Sequence, residues 1–144
     1  MSGDFGLPPI FEVSEEPLAG QAHVISVRGE LDLHTASEFS RPLFAAIDGG
    51  KTAVVIDLCD VVFIGSNGLA TLLNGLRRLT RKGGRLAIAT ANPTVLRMFE
   101  ITRTDTTFAI FPTRELALAS LGISADGDSA ADGGAAGNVN GSGV

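Results

Sequence analysis

Apolar positions along this chain recur with two different periods, and the alternation between them outlines a fold. Phe11–Glu16 and Ala22–Gly29 have strand length and composition, and the Pro17–Gly20 turn between them predicts an antiparallel pair. Thr35–Asp48 then places Ala36, Phe39, Leu43, Phe44 and Ile47 three and four residues apart, which is one face of a helix ended by Gly49–Gly50. Thr52–Leu58 is a continuous, β-branched-rich run, as expected of a strand covered by helices. A second helical stripe follows at Leu69, Leu72, Leu73, Leu76 and Leu79. It ends in Arg77, Arg78, Arg81 and Lys82, cations that complement a helix C-terminus, before Gly83–Gly84.

Arg85–Ala89 reads as a further strand. Pro93 opens a short helix carrying Val95, Leu96, Met98 and Phe99, with Asn92 as its cap. Phe108–Phe111 is a last strand, and Thr113 caps a last helix through Leu121. The order β-β-α-β-α-β-α-β-α predicts an α/β domain with a mixed, mostly parallel sheet of four to five strands and about four helices.

Composition sets the limits of that domain. After Ile123 the segment Ser124–Val144 consists of small residues with three Asp and no basic residue, which predicts a flexible tail. The expected organisation is a flexible residue range 1–8, one folded domain over 9–122, and a Gly/Ala/Asp-rich tail over 123–144. With 44% hydrophobic residues in a 144-residue chain, one domain has a sizeable core to bury. The net charge of −5, and eight Phe with neither Tyr nor Trp, argue against nucleic-acid binding, which needs a basic face and stacking surfaces. A single cysteine, Cys59, and two histidines offer no disulfide and no metal constellation, and Cys59 is expected to be a small buried apolar residue. No apolar run approaches a membrane span, and the acidic start MSGDFGLPPIFEVSEEP lacks the pattern of a signal peptide, so the expected location is cytoplasmic.

In a parallel sheet the loops that leave the strand C-termini gather along one edge, where ligands and partners bind. Three segments meet there: Glu30–Thr35 (ELDLHT), Cys59–Gly68 (CDVVFIGSNG) and Thr90–Thr94 (TANPT). In the second, Ser66 or Asn67 is the natural cap of the leucine-striped helix. A hydroxyl there is exposed beside amides that carry partial positive charge. A phosphate on it would add about −1.5 to −2 charge to that edge. Asp32 either contacts a partner or holds the turn before its helix, while Asp57 and Asp60 have structural roles in the following loop. His23 and His34 read as ordinary residues. A serine between a strand and a helix also suggests a nucleophile elbow, but Ile64 stands where glycine is needed and no histidine follows Ser66. The chain is therefore not expected to be an enzyme.

The stretch VIDLCDVVFIGSNGLATL resembles the signature of the STAS domain, and within it the bacterial anti-sigma factor antagonists. The matching positions are Asp57, Leu58, Val61, Phe63, Gly65, Ser66, Gly68 and Leu69. Gly29–Asp32 (GELD) and NPTVLRMFEITRTDTTFAIF agree in kind and spacing, so the resemblance spans about residues 10–121. It implies a binding module without catalytic activity or cofactor. Such a module binds an anti-sigma factor that is also a serine kinase of the histidine-kinase-like ATPase class, and thereby frees a sigma factor. It implies release by phosphorylation of Ser66, reversal by a phosphatase, and partner contacts at Glu30, Asp32, Leu33, Gly65, Ser66, Asn67, Gly68, Leu69 and Asn92. Where many members carry Asp before the serine, this chain has Gly65. That removes a neighbouring carboxylate and lets a partner backbone approach closely. The resemblance also admits a second role, as a subunit that binds a membrane transport ATPase, including lipid-transport assemblies, without phosphorylation.

Overall fold

The first two apolar runs pair as expected in the computed structural model, which describes residues 10–123. β1 (Glu12–Pro17) lies antiparallel to β2 (Ala22–Leu31). There follow α1 (Ala36–Asp48), β3 (Ala53–Ile64), α2 (Ser66–Arg81), β4 (Arg85–Ala89), α3 (Pro93–Ile101), a 3-10 turn at Thr104–Thr106, β5 (Ala109–Phe111) and α4 (Arg114–Ser120). The five strands stand in chain order, and β2 to β5 are mutually parallel. This is the expected mixed sheet with four helices. The expected flexible ends fall outside the described residues, except that Ile123 is buried against Ala117 and Leu118.

The sheet has an apolar layer on each side. Ile25, Val27, Val54, Ile56 and Ile88 point toward the helices α1, α2 and α3, where they meet Phe39, Leu43, Ile47, Leu72, Leu79 and Phe99. Ala22, Val24, Val55, Ala87 and Ala89 point the other way, against α4. Small residues on this second face let the short helix α4 sit close. In α1, Pro42 removes one helical hydrogen bond, a defect of about 3 kcal/mol. Phe39, Leu43 and Ile47 are fully buried, and at roughly 1.5–3 kcal/mol each they outweigh it. The helix therefore continues.

Two strands run further than the sequence pattern predicts. β2 reaches Leu31, and β3 continues through the expected loop to Ile64. Period-two reading missed the extension because the β2–β3 register shifts twice, between Ser26 and Arg28 and again between Gly29 and Glu30. At each shift β3 carries one extra residue, since Ser26 pairs with Asp57 but Arg28 with Asp60, and Gly29 with Val61 but Glu30 with Phe63. The core-facing residues of β3 are accordingly Val54, Ile56 and Leu58 at a spacing of two, then Val61 and Ile64 at a spacing of three. Val62 and Phe63 both stay exposed as a result. The glycine of GELD serves this irregularity. Gly29 has φ +100°, and a Cβ there would lie 2.9 Å from the Ile10 carbonyl oxygen.

Candidate functional site

The three predicted segments do gather at the C-terminal edge of the parallel strands, and a backbone bond locks two of them together. The Gly65 amide donates to the Leu31 carbonyl over 2.9 Å, joining the end of β2 to the start of α2. Gly65, rather than Ser66 or Asn67, is the cap residue of α2, with extended backbone at φ −100° and ψ −177°. The reason is this tie to Leu31, which ends the strand at Ile64, two residues before the serine. Ser66 is consequently the first helical residue, and no side chain caps the helix. Ser66 and Asn67 are exposed, and among the described residues the Ser66 hydroxyl has no hydrogen-bond partner. An unengaged hydroxyl thus stands beside first-turn amides that no side chain satisfies.

The inward side of the same turn is packed. Gly68 is buried, and a Cβ on it would come within 2.8 Å of both the Leu31 Cγ and the Leu31 carbonyl oxygen. Leu69 is only 4% exposed. Both residues hold α2 on the sheet, whereas Gly65, Ser66 and Asn67 form the outward rim. A Cβ at Gly65 would lie 3.4 Å from the Phe63 ring and 3.9 Å from the Asp32 Cα, which places the β2–α1 turn directly alongside.

That turn is built by its own side chains. The Asp32 carboxylate accepts from the amides of His34 at 2.9 Å and Thr35 at 3.3 Å. The Thr35 hydroxyl donates to the Glu30 carbonyl at 2.7 Å and accepts from the Asp32 amide at 2.9 Å. Asp32 holds the turn, as one of its two readings expected. The turn lifts Leu33 into solvent at 67% exposure, with Glu30 half-buried behind it. At the third segment the Asn92 side chain caps α3, accepting from the Thr94 and Val95 amides at 2.8 and 3.1 Å.

The other candidate residues have structural partners. Asp57 accepts from the Cys59 amide at 3.0 Å and lies 3.9 Å from the Arg114 guanidinium, so it links β3 to α4 from within a strand. Asp60 likewise lies in β3 and not in a loop. Cys59 is exposed, contrary to its expected burial, because it lies within the first shift, where Cys59 and Asp60 both turn outward between the inward Leu58 and Val61. Partial desolvation, then Asp57 and Asp60, push its thiol up to about 12, which makes it a poor nucleophile. His23 is buried with Nε2 2.8 Å from the Glu15 carboxylate, and His34 is exposed. At the far end, Arg78 stacks over the Phe44 ring and pairs with Asp48, and Lys82 donates to the Ile47 carbonyl. The basic end of α2 thus fastens α1. The described residues hold no cluster of His, Cys, Asp and Glu fit for a metal ion, and no helix among them is long and apolar enough to cross a membrane.

Residues 15–117 match the family described as STAS domain. The chain belongs to the STAS domain family. Among curated STAS relatives, an anti-sigma F factor antagonist of Paenibacillus polymyxa is 27% identical over 101 residues, 69% of this chain and 86% of that protein. The anti-sigma-F factor antagonist RsfB of Mycobacterium tuberculosis is 30% identical over 98 residues, 68% of this chain and 80% of its own length. The crystal structure of an anti-sigma factor antagonist from Mycobacterium paratuberculosis superposes with a TM-score of 0.72 at 31% identity, covering 78% of this chain and 94% of that one. The resemblance read from VIDLCDVVFIGSNGLATL is borne out at the level of the family and its fold.

Sequence reasoning missed one part of the surface. Phe63, Ile64, Thr94, Arg97, Met98 and Ile101 line an open groove of about 240 Å³ between α3 and the end of β3 that leads into Gly65 and Ser66. Phe63 was hidden in an apparent loop. Ile101 extends α3 past the last residue that the apolar stripe required.

Proposed function

We propose that this STAS domain is an anti-sigma factor antagonist that works in the cytoplasm. Unmodified, it binds a kinase-type anti-sigma factor and so frees a sigma factor for transcription. The observation that carries this reading is the exposed, unengaged hydroxyl of Ser66 on the first turn of an uncapped helix. The relatives named anti-sigma factor antagonists support an anti-sigma factor as the partner.

The chemistry belongs to the partner. The kinase transfers the γ-phosphoryl group of ATP to Ser66 Oγ, the serine proton leaves, and ADP departs. The STAS domain contributes only an accessible acceptor and needs no cofactor. Phosphorylation places about −1.5 to −2 charge on the rim formed by Gly65, Ser66, Asn67, Leu33, Glu30 and Asp32. A partner face packed against the neutral rim then meets a solvated dianion beside two carboxylates, and the complex dissociates. A phosphatase that removes the phosphate restores binding. Gly68, Leu69 and Asn92 support this rim by fixing α2 and α3.

The test takes each kinase-type anti-sigma factor encoded in the source genome as a purified protein and measures its binding by calorimetry. Wild type and Ser66→Ala are expected to bind one of them, and Ser66→Glu to bind it at least about tenfold more weakly, as a desolvated like charge at an interface does. ATP with the matching kinase is expected to add one phosphate to wild type and none to Ser66→Ala. Equal binding by wild type and Ser66→Glu would remove the switch. If no anti-sigma factor binds, and the unmodified protein copurifies with a membrane transport ATPase, the second role stands instead.

A further inference from the structure

Of the large apolar side chains left open among the described residues, Ile10, Val62 and Leu116 lie apart from the groove, whereas Phe63 and Ile101 line it. Leu33 is 67% exposed on the turn beside Gly65, Phe63 is 41% exposed at the end of β3, and Ile101 is 65% exposed at the end of α3, where it lines the groove with Phe63. Phe63 is the link: it faces the position of a Gly65 Cβ at 3.4 Å on one side and walls the groove against α3 on the other. The floor and walls of that groove are Ile64, Met98 and Ile101, and its rim carries a single charge, Arg97. Among the described residues Arg97 takes part in no ion pair, while the opposite flank of Ser66 carries Glu30 and Asp32. The surface therefore runs from negative, across the serine, to an apolar slot with a positive rim.

We propose that this groove is the second anchor of the anti-sigma factor contact. It receives one large apolar side chain of the partner, flanked by a carboxylate that pairs with Arg97. The inference rests on the function proposed above and names how that partner is held and oriented. A groove of about 240 Å³ is smaller than the 300–1,000 Å³ of small-molecule sites and fits a side-chain anchor, the usual carrier of interface affinity. The polarity of the surface selects a partner segment of opposite order, basic toward Glu30 and Asp32 and acidic toward Arg97. Residues 124–144 of this chain cannot fill the slot, since Val139 and Val144 are their only apolar residues larger than Ala.

Ile101→Glu and Arg97→Glu are measured against the purified anti-sigma factor that wild type binds, with Leu116→Glu as the control, an exposed position (50%) on α4 at the opposite face. Ile101→Glu is expected to weaken binding by about tenfold or more, as loss of an interface anchor does. Arg97→Glu is expected to weaken it and flatten its dependence on salt, and Leu116→Glu to bind like wild type. Thermal melts check that all three fold. If Ser66→Glu abolishes binding while Ile101→Glu and Arg97→Glu match wild type, the groove is overturned and the antagonist reading stands. If wild type binds no anti-sigma factor, both fall. A wild-type dimer that Ile101→Glu dissociates, or Ile101 and Met98 methyl signals that shift when residues 1–9 are removed, would assign the groove to a second copy or to the chain's own start, and so overturn the proposal.

Discussion

At the scale of single residues, two glycines three residues apart in the motif GSNG, Gly65 and Gly68, have opposite physical roles. Gly65 has a backbone that any residue adopts and room for a Cβ, which would meet the Phe63 ring and Asp32 in ordinary contact at 3.4–3.9 Å. Gly65→Asp is therefore expected to fold and to cap the bare amides of α2, raising stability by about 0.5–1 kcal/mol in urea denaturation. Gly68 has no such room, and Gly68→Ala is expected to cost about 1–3 kcal/mol because Leu31 backbone and side chain both stand in the way. Cys59 gives a third residue-level expectation. With its thiol at about 12, alkylation by iodoacetamide at pH 8 should be at least about a hundredfold slower than for an ordinary exposed cysteine. The folded state also keeps its proton longer than the unfolded chain, whose thiol titrates near 9.0. Stability is thus unaffected by Cys59 below that pH and falls as pH rises toward about 12, a slope that Cys59→Ser removes in urea midpoints measured at pH 8 and 10.5.

Among the elements, what the sequence disclosed followed from periodicity and local chemistry. Helices α1 and α2 were legible from their stripes, and the Asn92 and Thr113 caps from residue type, because each depends on a few neighbouring positions. Thr113 does accept from the Leu116 amide at 3.1 Å. The extent of β3 was not legible, because its alternation breaks where β2 forces two register shifts, and that pairing is non-local. The cap of α2 was misassigned for a related reason. Ser66 has the better capping side chain, but the bond from Gly65 to Leu31 decides where the strand stops. The Phe63–Ile101 groove lay beyond reach of the sequence because its walls come from separate elements, β3 and α3.

In the molecule as a whole, the site and α4 lie on different faces of one sheet. Three helices and the serine edge share the larger core, while α4 closes the smaller one through Ala117 and Leu118, with Arg114 reaching Glu16 and Asp57. Leu118→Ala is accordingly expected to lower stability by about 2–4 kcal/mol in chemical denaturation and to leave anti-sigma factor affinity unchanged at temperatures where the variant is folded. The two extra residues in β3 carry a different consequence, one for how this protein can change over generations. Loss of one residue within either shift, Cys59 or Val62 for instance, would restore plain alternation there and leave Leu58, Val61 and Ile64 on the core face, in step with β2. That stretch is therefore where the strand can change its length without turning its core side chains out or moving the serine turn off the sheet edge.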